Sequence, residues 1–335
     1  MKIALCTTTI HVPHALKLMR KCSEDVKFFV AVDEKTPEDA GNFCTYDVDN
    51  TQVVYLDAEQ RWKCGKAIGR NTLAKRNLAF LDALKWGADV IYSWDNDNIP
   101  TNLYHFFPFD GPWQFDGVKV SAYGALKWFD PGHLLIPHTR HRGFPHGFRD
   151  KFVTEPITDA EVGVMAGLVI GDPDIDATTR MEKSPDIGAV HLLGQTGVVV
   201  DPHTWTVFNS QNTAVTRELV PAWFMMPGVG RHDDIYASLI VQRVARERGY
   251  HVHFGPPFTY QQRNPHNLIS DLRKEIDGME NVSKLADLLD SITHLGHSAI
   301  EDTRTIYQTI GDSGLVPEQS VTAALAWLED CEGVL

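Results

Sequence analysis

The run Val90-Ile91-Tyr92-Ser93-Trp94 passes directly into Asp95-Asn96-Asp97-Asn98. A hydrophobic run of this length reads as a buried strand. Four polar side chains at the tip of such a strand are costly unless something binds them. Two of them are carboxylates spaced i, i+2, which a strand places on one face. The simplest partner for that pair is a hard divalent cation, Mg2+ or Mn2+, which takes oxygen ligands and shares them with phosphates. The competing reading is a turn, because Asp and Asn are common turn formers.

The periodicity upstream tells what kind of sheet this strand joins. Residues 2–9 read as a strand ending in Thr7, Thr8 and Thr9, residues 13–22 as a helix, and residues 27–32 as a strand ending at Asp33. A third strand is expected at 53–56. From 66 to 86, Leu73, Leu78, Leu81 and Leu84 recur at helical spacing, and Gly87 is a helix stop. Strand–helix alternation with short connections means an α/β fold with a parallel sheet. Ligands of such sheets bind at the carboxyl ends of the strands. Thr7–Thr9, Asp33 and Asp95–Asn98 all fall there. The middle of the chain, 100–230, reads as short strands and long loops, the usual form of an acceptor-binding region. Residues 234–248 form an amphipathic helix closed by Gly249, and 251–254 a short strand ended by Gly255-Pro256-Pro257. The tail is helical. The expected organisation is a catalytic domain over 1–275, with a nucleotide-binding half at 1–100 and an acceptor and sugar half at 101–275. A small C-terminal helical appendage is expected over 276–335.

Charge and composition narrow the function. A formal charge of −13 over 335 residues argues against nucleic acid as the main ligand, although a local basic patch would still allow it. The only basic island holds Arg140, Arg142 and Arg149 among His138, His141 and His146. Five scattered cysteines without a CxxC pair suggest reduced thiols and a cytoplasmic protein. Neither a signal peptide nor a membrane-spanning run is read in the sequence, so no membrane anchor is expected. The chain has no P-loop, GxGxxG, GxSxG or HExxH pattern, which removes most weight from kinase, dehydrogenase, hydrolase and zincin readings.

Four further constellations carry chemistry. In 69–77, Arg70 and Asn77 are seven apart and would share one side of a helix, while Arg76 can pair with phosphate; the alternative is a solvated basic face. Asp172, Asp174 and Asp176 cluster around Pro173, either to bind sugar hydroxyls or a cation, or as a turn with a helix cap. Asp233 and Asp234 open the 234–248 helix, either as a general base or as carboxylates favoured by the helix dipole. In 261–267, His266 is a candidate third metal ligand and Arg263 a candidate phosphate contact, against ordinary hydrogen-bonding roles.

Taken in order, Val32–Pro37, Gly69–Asn77, Asp95–Asn98, Arg142–Pro145, Gly171–Ala177, Phe208–Thr213, His232–Tyr236 and Gln262–Asn267 resemble the STELLO-type glycosyltransferase-like family over about residues 1–275. A more distant similarity is to the reversibly glycosylated polypeptides, or UDP-arabinopyranose mutases. The resemblance implies a GT-A fold and a nucleoside diphosphate sugar donor bridged by Mn2+ or Mg2+ to Asp95 and Asp97. It also implies Asp33, Arg70 and Arg76 near the nucleotide, where Thr7, Asn77 and Arg263 are further candidates from the residues themselves, and Asp174, Asp233 and Asp234 on the sugar and acceptor side. The expected activity is sugar transfer to an unidentified hydroxyl acceptor. The rivals are a sugar-nucleotide mutase, a non-catalytic nucleotide-sugar-binding scaffold and glycosylation of a hydroxylated DNA base.

Overall fold

A computed structural model describes residues 1–22, 25–55, 57–102, 113–123, 127–148, 151–183, 185–263 and 267–335. Among these, one ten-stranded sheet organises the chain. Its first half is parallel. Strands β1 (Ile3–Thr9), β2 (Lys27–Val32), β3 (Thr51–Val54) and β4 (Val90–Trp94) lie in the order β3-β2-β1-β4. Both faces are covered, as the near-continuous apolar runs require. Leu5, Phe28, Val30 and Tyr92 pack into one core, and Cys6, Phe29, Ala31 and Ile91 into the other. All four strands therefore end at the edge where Thr9, Asp33 and Asp95 sit.

The expected helix over 66–86 is broken. A single turn at Gly65–Ile68 stops at Gly69, whose φ of 79° leaves the helical region. Thr72 then caps a tight turn by accepting from the Ala74 N–H, and helix α2 (Arg76–Trp86) follows α1 (Ala15–Cys22). Gly87, at φ 89°, ends α2 in the left-handed conformation.

The second half of the sheet is antiparallel and mixed. It contains β5 (Asn98–Pro100), β6 (Gln114–Ala122), β8 (Phe152–Gly171), β10 (Val198–Val200), β11 (Asn212–Thr216) and β12 (His251–Gln261), while β7 (Leu135–Ile136) and β9 (Ala189–Val190) form a separate pair. The long strand β8 contradicts the expected short strands and loops. Its first part pairs with β6 and its second with β11 and β12; with β6–β10 and β10–β12 pairing, four strands close on one another. Pro156 and the exposed polar residues 154–155 and 158–159 hide its first half in the sequence. β12 also runs past Gly255-Pro256-Pro257, because a register shift between Gly255 and Thr259 absorbs the prolines.

Four longer helices complete the described chain: α3 (Asp233–Arg246), α4 (Leu268–Ser291), α5 (Ala299–Ser313) and α6 (Glu318–Glu332). The tail is helical as expected, but a division after residue 275 would cut α4. Val282, Leu289, Tyr307 and Trp327 belong to the same apolar cluster as the sheet residues Cys6 and Ile91. The Asp330 carboxylate accepts from the Lys63 and Cys64 N–H groups at 2.9 Å each, which ties α6 to the segment leading into Gly69.

Candidate functional site

Three adjoining hollows follow the carboxyl edge of the sheet. One of about 460 Å³ is bounded by Asp33, Thr36, Tyr55 and Asp57. The next, of about 400 Å³, is lined by Thr8, Thr9, Asp33, Arg76, Asp95 and Asp97. The third, of about 510 Å³, is lined by Asp95, Arg142, Asp174, Asp233, Asp234 and Arg263. Asp33 joins the first to the second, and Asn71, Thr72, Leu73 and Asp95 join the second to the third. They make one elongated cleft.

The acidic tip of β4 is a tight turn, closed by the Asn98 N–H donating to the Asp95 carbonyl at 3.0 Å. Its four polar side chains separate into two uses. Asn96 donates to Thr9 Oγ1, and Asn98 is fully buried with its amide bonded to Gln211, so both serve the turn. Asp95 and Asp97 line the cleft. Asp95 takes a 2.7 Å ion pair from Arg76, a cation buried at 1% exposure and also held by Ser93 and Ser210. Burial pushes the Asp97 carboxyl above its usual range, and the charge on Asp95 pushes it further. A divalent cation beside the pair would relieve both effects, and the ligand set of carboxylate oxygens suits Mg2+ or Mn2+. Among the described residues no group of three or more His, Cys, Asp or Glu is placed to hold a metal ion. Asp95 and Asp97 thus supply two oxygen-bearing groups, and diphosphate and water can complete such a shell. His266 lies outside the described residues.

At the other end of the cleft, α3 begins with two adjacent aspartates in opposite environments. Asp234 is saturated: Arg142 Nη2 donates to both its oxygens at 3.0 and 3.1 Å, and the Ser210 N–H adds a third bond at 3.1 Å. Asp233 accepts only the Asp234 N–H, at 2.9 Å, among the hydrogen bonds of the described residues. Burial raises its carboxyl, the neighbouring Asp234 charge adds to this, and its pKa rises to about 7. Its neighbour His232 is buried, lacks a hydrogen-bond partner on either ring nitrogen, and is pushed by burial down to about 3, so it is neutral at pH 7. Asp174 is not free either. Burial alone would raise it, but a bidentate Arg142 with bonds of 2.6 to 2.9 Å holds it well below the usual carboxylate range. Arg142 comes this close because Gly143 lies against α3. A Cβ there, at φ 86°, would meet Ile235 at 2.4 Å.

The remaining expected residues fall on both sides of the cleft wall. Asp33 lines two of the hollows, with one oxygen taking the Asn71 N–H and the other the Glu34 N–H. Arg263 lines the third and is nearly buried. Its Nε has no hydrogen-bond partner, and the nearest carboxylates, on Asp172 and Asp174, are 3.8 Å away. Burial lowers its pKa, as for a cation short of counter-charge. Three residues depart from expectation. Arg70 follows the break at Gly69, so it shares no helix face with Asn77, and it points outward to Glu34 and Glu59. Asn77 is fully buried and exchanges two hydrogen bonds with the Met225 backbone. Thr7 is buried within β1, and its neighbours Thr8 and Thr9 face the cleft instead. Asp176 caps the following helix through the Thr179 N–H, and Asp172 pairs with Arg180. The sequence reading did not anticipate the roles of Arg142, Ser210, Gln211 and Gln261. The glycine after Arg142 and the polar run 209–213 were the available signals.

No protein-family model matches the chain. The chain is 26% identical over 144 residues to UDP-arabinopyranose mutase 3 of Arabidopsis thaliana, covering 41% of this chain and 37% of that protein. The chain thus spans well under half the length of the relative it matches. This similarity supports the more distant of the two resemblances and not the STELLO-type one. Among the described residues no helix is long and apolar enough to cross a membrane.

Proposed function

We propose that this cleft binds a nucleoside diphosphate sugar, a UDP-sugar by preference, together with Mn2+ or Mg2+, and that the protein transfers the sugar to a hydroxyl acceptor on a GT-A type fold. The observation that carries this reading is the pairing of two carboxylates at one end of a single cleft with the buried Asp233 carboxyl, which has no arginine in ion-pair contact among the described residues, at the other. The relative's name supports the donor class.

In this reading the base and ribose occupy the hollows joined by Asp33, whose carboxylate can accept from ribose hydroxyls. Asp95 and Asp97 would hold the cation, which when bound supplies positive charge to the departing diphosphate. Arg76 keeps Asp95 in place, and Arg263 offers its under-compensated guanidinium to a phosphate. The sugar lies in the third hollow. Asp233 is the general base: as the acceptor oxygen bonds to the anomeric carbon and the carbon–oxygen bond to diphosphate breaks, the acceptor proton passes to Asp233. Asp234 and Asp174 are too heavily hydrogen-bonded for that role and fix Arg142 instead.

Calorimetry with UDP and UDP-sugars, with and without Mn2+, tests the site. The Asp95→Ala, Asp97→Ala double variant should lose Mn2+-dependent UDP binding and sugar transfer. Retention of both would refute the assignment. A second reading, ring isomerisation of a UDP-pentose, is favoured by the relative's name. It predicts interconversion of UDP-arabinopyranose and its furanose form with no acceptor present, which product chromatography would show.

A further inference from the structure

The tripeptide Asn209-Ser210-Gln211, where the chain enters β11, contacts Asp95 at one end of the cleft and Asp174 and Asp234 at the other. Asn209 Nδ2 donates to Asp174 at 3.2 Å. The Ser210 N–H and hydroxyl donate to Asp234 at 3.1 and 3.3 Å, and the Ser210 carbonyl accepts from Arg76, the residue paired with Asp95. The Gln211 carbonyl accepts from the Asp95 N–H at 3.0 Å and from Asn98 Nδ2 at 2.9 Å. Gln211 Nε2 donates to Asn98 at 3.1 Å and to Gln261 Oε1. Arg263 donates to the same Gln261 oxygen, so the Gln261 amide nitrogen is turned toward Asp97, at 3.3 and 3.4 Å. Ser210 and Gln211 are buried, and their contacts reach both ends of the cleft.

We propose that Asn209-Ser210-Gln211 is a positioning element that locks the Asp95–Asn98 turn and the Asp233–Asp234 start of α3 into one fixed relation, so that diphosphate and proton acceptor meet on one substrate. This rests on the functional reading above, although the mechanical coupling does not require a ligand. Strand β11 lies between β4 and β8, so the tripeptide is anchored in the middle of the sheet.

Amide hydrogen exchange on the full chain tests the coupling directly. Gln211→Leu should speed exchange in the turn, and Ser210→Ala, which removes the hydroxyl that donates to Asp234 and accepts from Arg76 at 3.2 Å, in both the turn and the first turn of α3, each by about tenfold for the loss of roughly one net hydrogen bond. Asn77→Ala is the control, because it removes two buried bonds without touching the tripeptide. A uniform rise like that of the control, or none, overturns the proposal. In a second arm, Gln211→Leu should weaken Mn2+-dependent UDP binding about tenfold and leave UDP binding without metal within about twofold, as expected for misplacing Asp97 alone. Wild-type protein that binds no UDP would sink the functional reading while the exchange result still decides the coupling.

Discussion

Asp233→Asn isolates the group on which the proposed chemistry turns. The substitution keeps the shape and the oxygen that accepts the Asp234 N–H, and removes only the charge. A carboxyl at about 7 in the folded state, against roughly 3.9 in the unfolded chain, keeps its proton longer when folded. Stability is thus lost as pH rises from the unfolded value toward 7, and the loss is complete above it. Between about pH 5 and about pH 8.5 this single group costs the wild type about 3 kcal/mol. The asparagine variant escapes that cost. Urea unfolding followed by tryptophan fluorescence should show the variant gaining on the wild type by that order across the range. Turnover should fall at every pH, and the rise of wild-type kcat/KM through pH about 7 should vanish while UDP binding stays. A stability gap that does not widen with pH, or widens toward acid, refutes the buried, proton-retaining Asp233.

Two other substitutions probe the frame around the cleft. Arg142→Met leaves Asp174 and Asp234 buried without their cation and should destabilise by about 3–5 kcal/mol, read as a lower urea midpoint. The loss should shrink as pH falls through the depressed range where Asp174 takes a proton, since its contribution exists only above its unfolded pKa. Asn77→Ala should cost about 1–3 kcal/mol through the two lost Met225 bonds, with Mn2+-dependent UDP affinity unchanged in calorimetry.

The parallel half of the sheet was legible because strands buried on both faces leave continuous apolar runs. Those runs placed Thr9, Asp33 and Asp95 on one edge before any contact was known. The break at Gly69 was not legible, since Leu73 and Leu78 keep a helical spacing across it and only a φ of 79° reveals the turn. β8 was hidden because its first half is exposed on both faces and carries Pro156, so no alternation marks it. At the site, acidity was readable and availability was not. Asp174, Asp176, Asp233 and Asp234 look alike in sequence. Asp176 is taken by its own helix cap, and among the other three the free one is set by Arg142, which is distant from Asp233 and Asp234 in the chain and directed inward by the contact of Gly143 with Ile235.

The single buried guanidinium of Arg142 also explains why adjacent carboxylates can do different work. It lies 2.6 Å from Asp174 and 3.0 Å from Asp234, and these two take its charge and most of its donors. Asp234, thus anchored, presents a fixed negative charge to Asp233, one residue away and with no cation in hydrogen-bond or ion-pair contact among the described residues. Environments that drive neighbouring groups apart in pKa are how one site keeps an anchor ionised and a base poised near neutrality. The same logic holds at the opposite end, where Arg76 is committed to Asp95 and Asp97 is left buried beside a like charge. Each end therefore has carboxylates held by arginine, Asp95 at one and Asp174 with Asp234 at the other, and one carboxylate with no arginine in ion-pair contact among the described residues. The two left over, Asp97 and Asp233, are the positions where a cation and a proton would relieve the protein itself.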